Sequence, residues 1–299
     1  MTSTLKSNLT FIGSLLLGVA ALGGVLLGMG ARVDDGKLEQ PVATGAQAER
    51  QQLALDIAGI EKSAGIEAVG GSFGPAIAVE AKEWLDAVGG IWVPWPSGAP
   101  EGYTNPPAEP NVVGTAEDFL ASLTSLSERA LTELDNPALG TSISLASRID
   151  AVELGGSCGT VDDVAVAVAM AAAPGAKDAS GDDADKTPVA VLETVRQLLE
   201  QEAAEIEPGK RDVEIAQVAR LDAIINDAIE LGAADTRPAI VPIVDNPSEA
   251  ALELVREAVV SIGAASDPAV RERLVAFACS LHDTEDERAM VGALPGIGD

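Results

Sequence analysis

The chain has 299 residues and carries 47 acidic against 19 basic side chains, for a formal net charge of −28. A surface of this sign repels phosphate backbones, which excludes nucleic acid as a partner and favours cations and basic proteins. The alternative is a charge that only keeps the protein soluble. Aromatic residues make up 3% of the chain, and this scarcity favours a core of closely packed helices with small side chains between them.

Residues 9–30 form an uninterrupted run without a charged side chain. A helix needs about 20 apolar residues to cross the hydrocarbon core of a bilayer, so this run predicts one transmembrane anchor. The alternative is a cleaved signal peptide, with Gly28 and Gly30 as the small residues before the cut. Residues 1–8 form a short polar tail with one lysine, which is typical of a signal anchor. We therefore expect the body of the protein on the extracytoplasmic side of the cell membrane.

Small residues recur along the predicted anchor. Ala20, Gly24 and Gly28 are four residues apart and therefore share one face of the helix. Small residues at this spacing allow another helix to approach closely in lipid, which predicts partner helices in the membrane. The alternative is a plain tether, because glycine is common in membrane helices generally.

The remaining sequence predicts a linker at 31–45, a helical extracytoplasmic domain at 46–282 and a flexible acidic tail at 283–299. Apolar residues recur with helical periodicity through the domain and predict about seven to nine helices. The best strand candidate, 239–244, is interrupted by Pro242. The predicted class is therefore all-α, a helical bundle behind one membrane helix.

Several helix boundaries are predicted from capping residues. The expected helix starts include Thr115, Asn246 and Asp267. Thr160 and Asp163 have the spacing of a capping box for a helix at 161–173. The Asn136–Pro137 pair is expected to end one helix, with the next at 142–154.

Residues 90–114 contain six prolines and three of the eight aromatic residues in the chain. Proline blocks helix formation, so the segment is predicted to be extended. One interpretation is a strap packed along the helical body. The other is a partner-docking segment with Trp92, Trp95 and Tyr103 as anchors, because exposed aromatic residues are typical of interfaces.

The chain has two cysteines, Cys158 and Cys279. An even number in an exported protein predicts one disulfide. It would close a loop of about 120 residues and stabilise the fold by about 3–5 kcal/mol in the chain-entropy model. The alternative is two buried free thiols.

The inventory of reactive side chains predicts no catalytic, cofactor or metal site. The chain has a single histidine, so zinc and di-iron ligand sets cannot be completed. Residues 155–159 fit the pattern Gly-x-Ser-x-Gly around Ser157, and His282 follows in hydrolase order. That motif needs a strand before the serine, whereas the preceding residues have a helical pattern. The alternative is a glycine turn that presents Cys158.

Two further patterns have an ordinary and a functional interpretation. Asp178, Asp182, Asp183 and Asp185 form an acidic loop that could bind calcium, but they do not match the EF-hand spacing, which favours a solvated loop. The sequences LETVR at 192–196 and LELVR at 252–256 are similar, which raises the possibility of a duplicated helical hairpin.

The glycine-rich run at 9–30, the acidic helical body and the absence of catalytic motifs resemble the layout of accessory subunits of actinobacterial respiratory supercomplexes. The composition, rich in Ala, Asp and Glu and poor in Lys, is similar as well. The resemblance implies one membrane helix and a body on the outer side, near cytochrome modules. It also implies a basic electron carrier as a partner for the acidic surface. It transfers no site residues.

The sequence therefore predicts a non-catalytic, membrane-anchored accessory or scaffolding subunit of a multi-subunit membrane complex, with other membrane proteins as partners. A second hypothesis is an independent envelope protein that binds a ligand or peptide in a groove between helices. A third is a hydrolase that uses Ser157.

Overall fold

The computed structural model describes residues 39–177, 181–207 and 211–281. Within these ranges the chain forms ten α-helices, one 3₁₀-helix (Gly181–Lys186) and no strand, which confirms the predicted all-α class. In chain order the α-helices are α1 (Ala46–Ala64), α2 (Glu67–Gly70), α3 (Gly74–Ala87), α4 (Ala116–Glu133), α5 (Pro137–Glu153), α6 (Asp163–Ala172), α7 (Pro188–Glu205), α8 (Arg211–Glu230), α9 (Pro247–Ala264) and α10 (Pro268–Ser280). They belong to a compact unit that begins at Ala43, and the described end of the preceding unit, 39–42, has no regular structure. The helix that sequence patterns missed is α2, which is too short to show periodicity.

Most helix starts follow the capping residues. Side-chain oxygens that accept a backbone N–H of the first turn come from Thr115, Asn136, Thr187 and Asp267. Because Asn136 caps α5, this helix begins at Pro137 rather than at the predicted residue 142. Asn246 is the N-cap of α9 but makes no side-chain cap bond, since its amide donates to the Glu249 carboxylate at 3.1 Å.

The predicted capping box of Thr160 and Asp163 is wrong. Asp162 caps α6 instead, and its Oδ1 accepts the N–H of Ala165 at 3.0 Å. The Asp163 carboxylate is bound by the Arg220 guanidinium of α8, at 2.6 Å for the closest pair of atoms. Asp163 therefore links the start of α6 to α8 instead of completing a capping box.

Helix α5 lies at the centre of the described body, and every residue from 140 to 151 is buried. Two apolar clusters meet on it. Leu145 and Ile149 belong to a cluster formed with α6 to α10, whereas Ile143 and Ala146 belong to a cluster formed with α1 to α4. The helix is therefore surrounded on all sides, and its many small residues allow the neighbours to approach closely.

Two glycines mark the closest approaches to α5. A Cβ atom on Gly140 would overlap the backbone carbonyl of Ala130 in α4. A Cβ atom on Gly263 of α9 would stand 2.8 Å from the hydroxyl oxygen of Thr141. A side chain at residue 140 would therefore force the two helix backbones apart, and one at residue 263 would have to displace the Thr141 side chain.

The predicted disulfide between Cys158 and Cys279 is confirmed. The bond joins the loop after α5 to the last turn of α10, across a sequence separation of 121 residues. Arg148 supports this loop, since its Nη1 donates to the carbonyl oxygen of Cys158 at 3.3 Å. The disulfide thus fastens the central helix of the body to its last described helix.

Candidate protein-docking surface

The segment between α3 and α4, residues 90–114 and here called the strap, is extended and packs across α1. At its start, Arg50 Nη1 of α1 donates to the carbonyl oxygens of Val88 at 2.7 Å and Gly90 at 3.1 Å. At its end, the N–H of Val113 donates to the hydroxyl of Ser63 at 2.9 Å. Both ends of the strap are therefore held by side chains of one helix.

The middle of the strap forms a closed loop that places Trp95 beside Tyr103. The ring centroids of this pair are 5.5 Å apart and the planes are tilted by 59°. Asn105 closes the loop, because it accepts the N–H of Trp95 at 3.0 Å and donates to the Trp95 carbonyl at 2.9 Å. Both rings are half-buried, so each keeps an exposed part on a backbone whose geometry is set before any partner arrives.

Trp92, the third predicted docking residue, lies near the start of the strap. Its N–H donates to the Gln51 side chain of α1 at 2.5 Å, and the residue is half-buried. The structure thus brings Trp95 and Tyr103 together as a ring pair and places Trp92 on the same segment, tied to α1.

A second extended segment, residues 232–246 between α8 and α9, exposes two isoleucines. Ile240 is 83% exposed and Ile243 is 86% exposed, while Val241 and Val244 turn inward against the core. Gln197 of α7 holds the segment, since it donates to the Pro238 carbonyl at 3.0 Å and accepts the N–H of Val241 at 3.0 Å. Sequence reasoning treated 239–244 only as a poor strand and missed this apolar surface.

A cavity of about 350 Å³ lies between α7 and α9, next to the end of α6. Its apolar lining includes Val191, Leu254 and Ile262, and its polar lining includes Lys186, Glu257 and Ser261. An apolar cleft with a few polar groups is the usual form of a small-ligand site. The cavity between α7 and α9 therefore has the size and lining to hold a small molecule.

The structure places Ser157 in a turn directly after a helix. Helix α5 ends at Glu153, and Gly155 and Gly159 take left-handed conformations on either side of the serine. The strand that a nucleophile elbow requires is replaced here by a helix, and the neighbouring Cys158 is held in the disulfide. His282 lies outside the described residues.

Asp185 lies in the 3₁₀-helix Gly181–Lys186, whereas the side chains of Asp178, Asp182 and Asp183 lie outside those that the structure describes. Across residues 39–177, 181–207 and 211–281, no group of three His, Cys, Asp or Glu side chains is arranged to hold a metal ion.

The predicted anchor at 9–30, with Ala20, Gly24 and Gly28, also falls outside the described residues. In the part of the chain that the structure does describe, no helix is both long and apolar enough to cross a bilayer.

Comparison with protein-family models, with curated proteins and with solved structures finds no match for this chain.

Proposed function

We propose that the protein is a non-catalytic, membrane-anchored accessory or scaffolding subunit of a multi-subunit membrane complex. The observation that carries the proposal is the Trp95–Tyr103 ring pair on a strap that α1 holds at both ends. Large amphipathic rings on a pre-ordered backbone are well suited to docking, because little conformational entropy is lost when a partner covers them. Trp92 on the same strap extends this surface.

The proposed location is the extracytoplasmic side of the membrane, with 9–30 as the anchor. The disulfide supports an oxidising compartment, because such bonds are rare in proteins of the reducing cytosol. Ala20, Gly24 and Gly28 are the proposed contact with partner membrane helices. The respiratory assignment, with a basic electron carrier drawn to the acidic surface, rests on the resemblance in layout alone.

The first test is purification of the full-length tagged protein in mild detergent, followed by mass spectrometry of co-eluting proteins. We expect a stoichiometric set of membrane proteins with the wild type and their loss from the double variant Trp95→Ala/Tyr103→Ala. A hot-spot residue contributes about 2 kcal/mol or more to binding, which corresponds to about a 30-fold weaker affinity for each lost ring. The double variant Gly24→Leu/Gly28→Leu should also release the partners, because the larger side chains block close packing of the membrane helices.

The matched control is Phe73→Ala, which removes a 38% exposed ring next to α3 but outside the strap. It should leave co-elution unchanged. A wild-type protein that elutes alone, or partners that stay bound to both double variants, would contradict the proposal.

A second candidate function is supported by the cavity between α7 and α9. An independent envelope protein would use this cleft to bind a small ligand or peptide, and it would purify without partners. A ligand that raises the melting temperature of such a monomer would favour this alternative. A hydrolase that uses Ser157 has no comparable support, because a helix precedes the serine.

A further inference from the structure

Three carboxyl side chains lie close enough to act on one another where α3 packs against α5. Glu80 comes from α3, whereas Asp150 and Glu153 come from α5, and the three act electrostatically on one another. Asp150 is only 5% exposed and Glu80 is half-buried. One oxygen of Asp150 and one of Glu80 are closed to solvent and have no hydrogen-bond partner.

The other ionisable side chains of α2 and α3 are exposed. On α3, Glu83 is exposed and adds to the negative potential at Glu80. Lys82 of the same helix is exposed and pairs with Asp86 at 2.9 Å. On α2, the ionisable residue is the exposed Glu67.

Cations on the other neighbouring helices are also engaged away from the cluster. Arg50 of α1 donates to the Val88 and Gly90 carbonyls, and Glu61 of α1 acts on Lys82. Arg148, two residues before Asp150 on α5, donates to Ser127 and faces Glu128 of α4 and Glu272 of α10.

A buried carboxylate without a partner is costly, and taking up a proton removes the charge. Burial, with the nearby Glu153 and Glu83, raises the pKa of Glu80 to about 8. Burial, with Glu80 and Glu153, also raises the pKa of Asp150 well above its ordinary value. Near neutral pH Glu80 therefore holds a proton in the folded protein.

We propose that Glu80, Asp150 and Glu153 form a proton-dependent clasp that holds α3 against α5 and thereby keeps the strap in place. When the clasp loses its protons, like charges repel one another in an interface that excludes water, and α3 moves away from α5. The strap follows α3 directly, since the Arg50 bonds at its start are made to Val88 and Gly90. An effect of the clasp on a partner rests on the proposed function, in which the strap is the docking surface. Rising pH would then weaken docking.

The direction of the effect on stability follows from the proton balance. Between the ordinary Glu80 pKa of 4.5 and about 8, the folded protein holds a proton that the unfolded chain has released. Stability rises with pH only where the unfolded state binds more protons, so the clasp makes stability fall as pH rises through this window.

The test uses the fluorescence of the full-length protein in mild detergent between pH 6 and 9, without any partner. All three tryptophans, Trp84, Trp92 and Trp95, lie on α3 or the strap, so their emission reports this region. We expect a reversible shift to longer wavelength with a midpoint near pH 8 and a melting temperature that falls over the same range. Glu80→Gln should abolish both changes. The control Glu83→Gln, on the exposed side of α3, should keep the transition at a slightly lower midpoint.

An unchanged emission from pH 6 to 9 in a folded wild-type protein would overturn the proposal, as would an unchanged transition in Glu80→Gln. If circular dichroism shows that Glu80→Gln does not fold, Asp150→Asn and carbon-13 titration of the wild-type carboxyl groups decide instead. A group that titrates near 8 supports the clasp, and ordinary carboxyl titration rejects it. Because the fluorescence titration uses no partner, a negative result there would not contradict the docking proposal. A negative co-elution result likewise would not contradict the proposed clasp.

Discussion

Gly59 illustrates how one residue sets the position of the strap. It lies inside α1, where glycine is about 1 kcal/mol less favourable than alanine. A Cβ atom at this position would lie well inside van der Waals distance of the Asn111 carbonyl oxygen of the strap. Glycine thus lowers the helix propensity of α1 at the point where the strap backbone approaches most closely.

We predict that Gly59→Ala displaces the strap and lowers the free energy of unfolding by about 1–3 kcal/mol, the usual cost of overpacking. Denaturant unfolding measures the loss, and faster hydrogen exchange at Val113 would show that the strap end has left Ser63. The matched control is Gly65→Ala, whose Cβ would meet nothing closer than 3.5 Å in an ordinary helical conformation. That variant should be as stable as the wild type or more so by about 0.4–1 kcal/mol. Equal effects from the two variants would argue against the close approach.

The start of α6 shows how elements compete for the same polar residues. Thr160, Asp162 and Asp163 all have cap chemistry, and each could begin a helix here. Asp163 is bound by Arg220, and Asp162 uses one oxygen for Ala165 and the other for Arg273 at 2.6 Å. The residue that caps α6 thus also pairs with α10, and its neighbour Asp163 pairs with α8.

We predict that Asp162→Ala lowers the free energy of unfolding by about 1–2 kcal/mol, since it removes a helix cap and an exposed ion pair. Thermal or denaturant unfolding of the two single variants measures the difference. Thr160→Ala removes an exposed hydroxyl that caps nothing and should have almost no effect. A larger loss of unfolding free energy in Thr160→Ala than in Asp162→Ala would instead support a capping box formed by Thr160 and Asp163.

Local chemistry explains which elements could be predicted from the sequence. Periodicity and caps predict nine of the ten described helices, because these signals act within one element. The paired cysteines similarly predict the disulfide, since the chain offers each of them one partner. By contrast, the Arg220–Asp163 ion pair spans 57 residues, and the Glu80–Asp150 cluster joins helices far apart in sequence. Such contacts depend on packing and leave no local pattern.

The candidate surface was partly predictable for the same reason. Prolines and aromatic rings within 90–114 are visible in the sequence, so Trp92, Trp95 and Tyr103 could be named in advance. Their arrangement depends on hydrogen bonds from Asn105 and from Gln51 of α1. No sequence pattern within the strap predicts these bonds. The exposure of Ile240 and Ile243 depends on Gln197 of α7 and was missed altogether.

At the scale of the whole molecule, the disulfide limits how far the unfolded chain can expand. We predict that the double variant Cys158→Ala/Cys279→Ala loses about 3–5 kcal/mol of unfolding free energy, because the closed loop is long. Denaturant unfolding measures the loss, and reduction of the wild type should reproduce it. A difference below about 1 kcal/mol would show that the bond constrains a denatured state that is already compact.

The central position of α5 has a consequence for how the body folds. Its residues 140–151 contribute side chains both to the apolar cluster formed with α1 to α4 and to the one formed with α6 to α10. A fragment containing either set of helices alone would expose an apolar flank of α5 to water. Neither half is therefore an autonomous folding unit, and we expect unfolding to be cooperative across both. A destabilising substitution in either cluster should therefore lower the stability of the whole body, and unfolding should leave neither half folded.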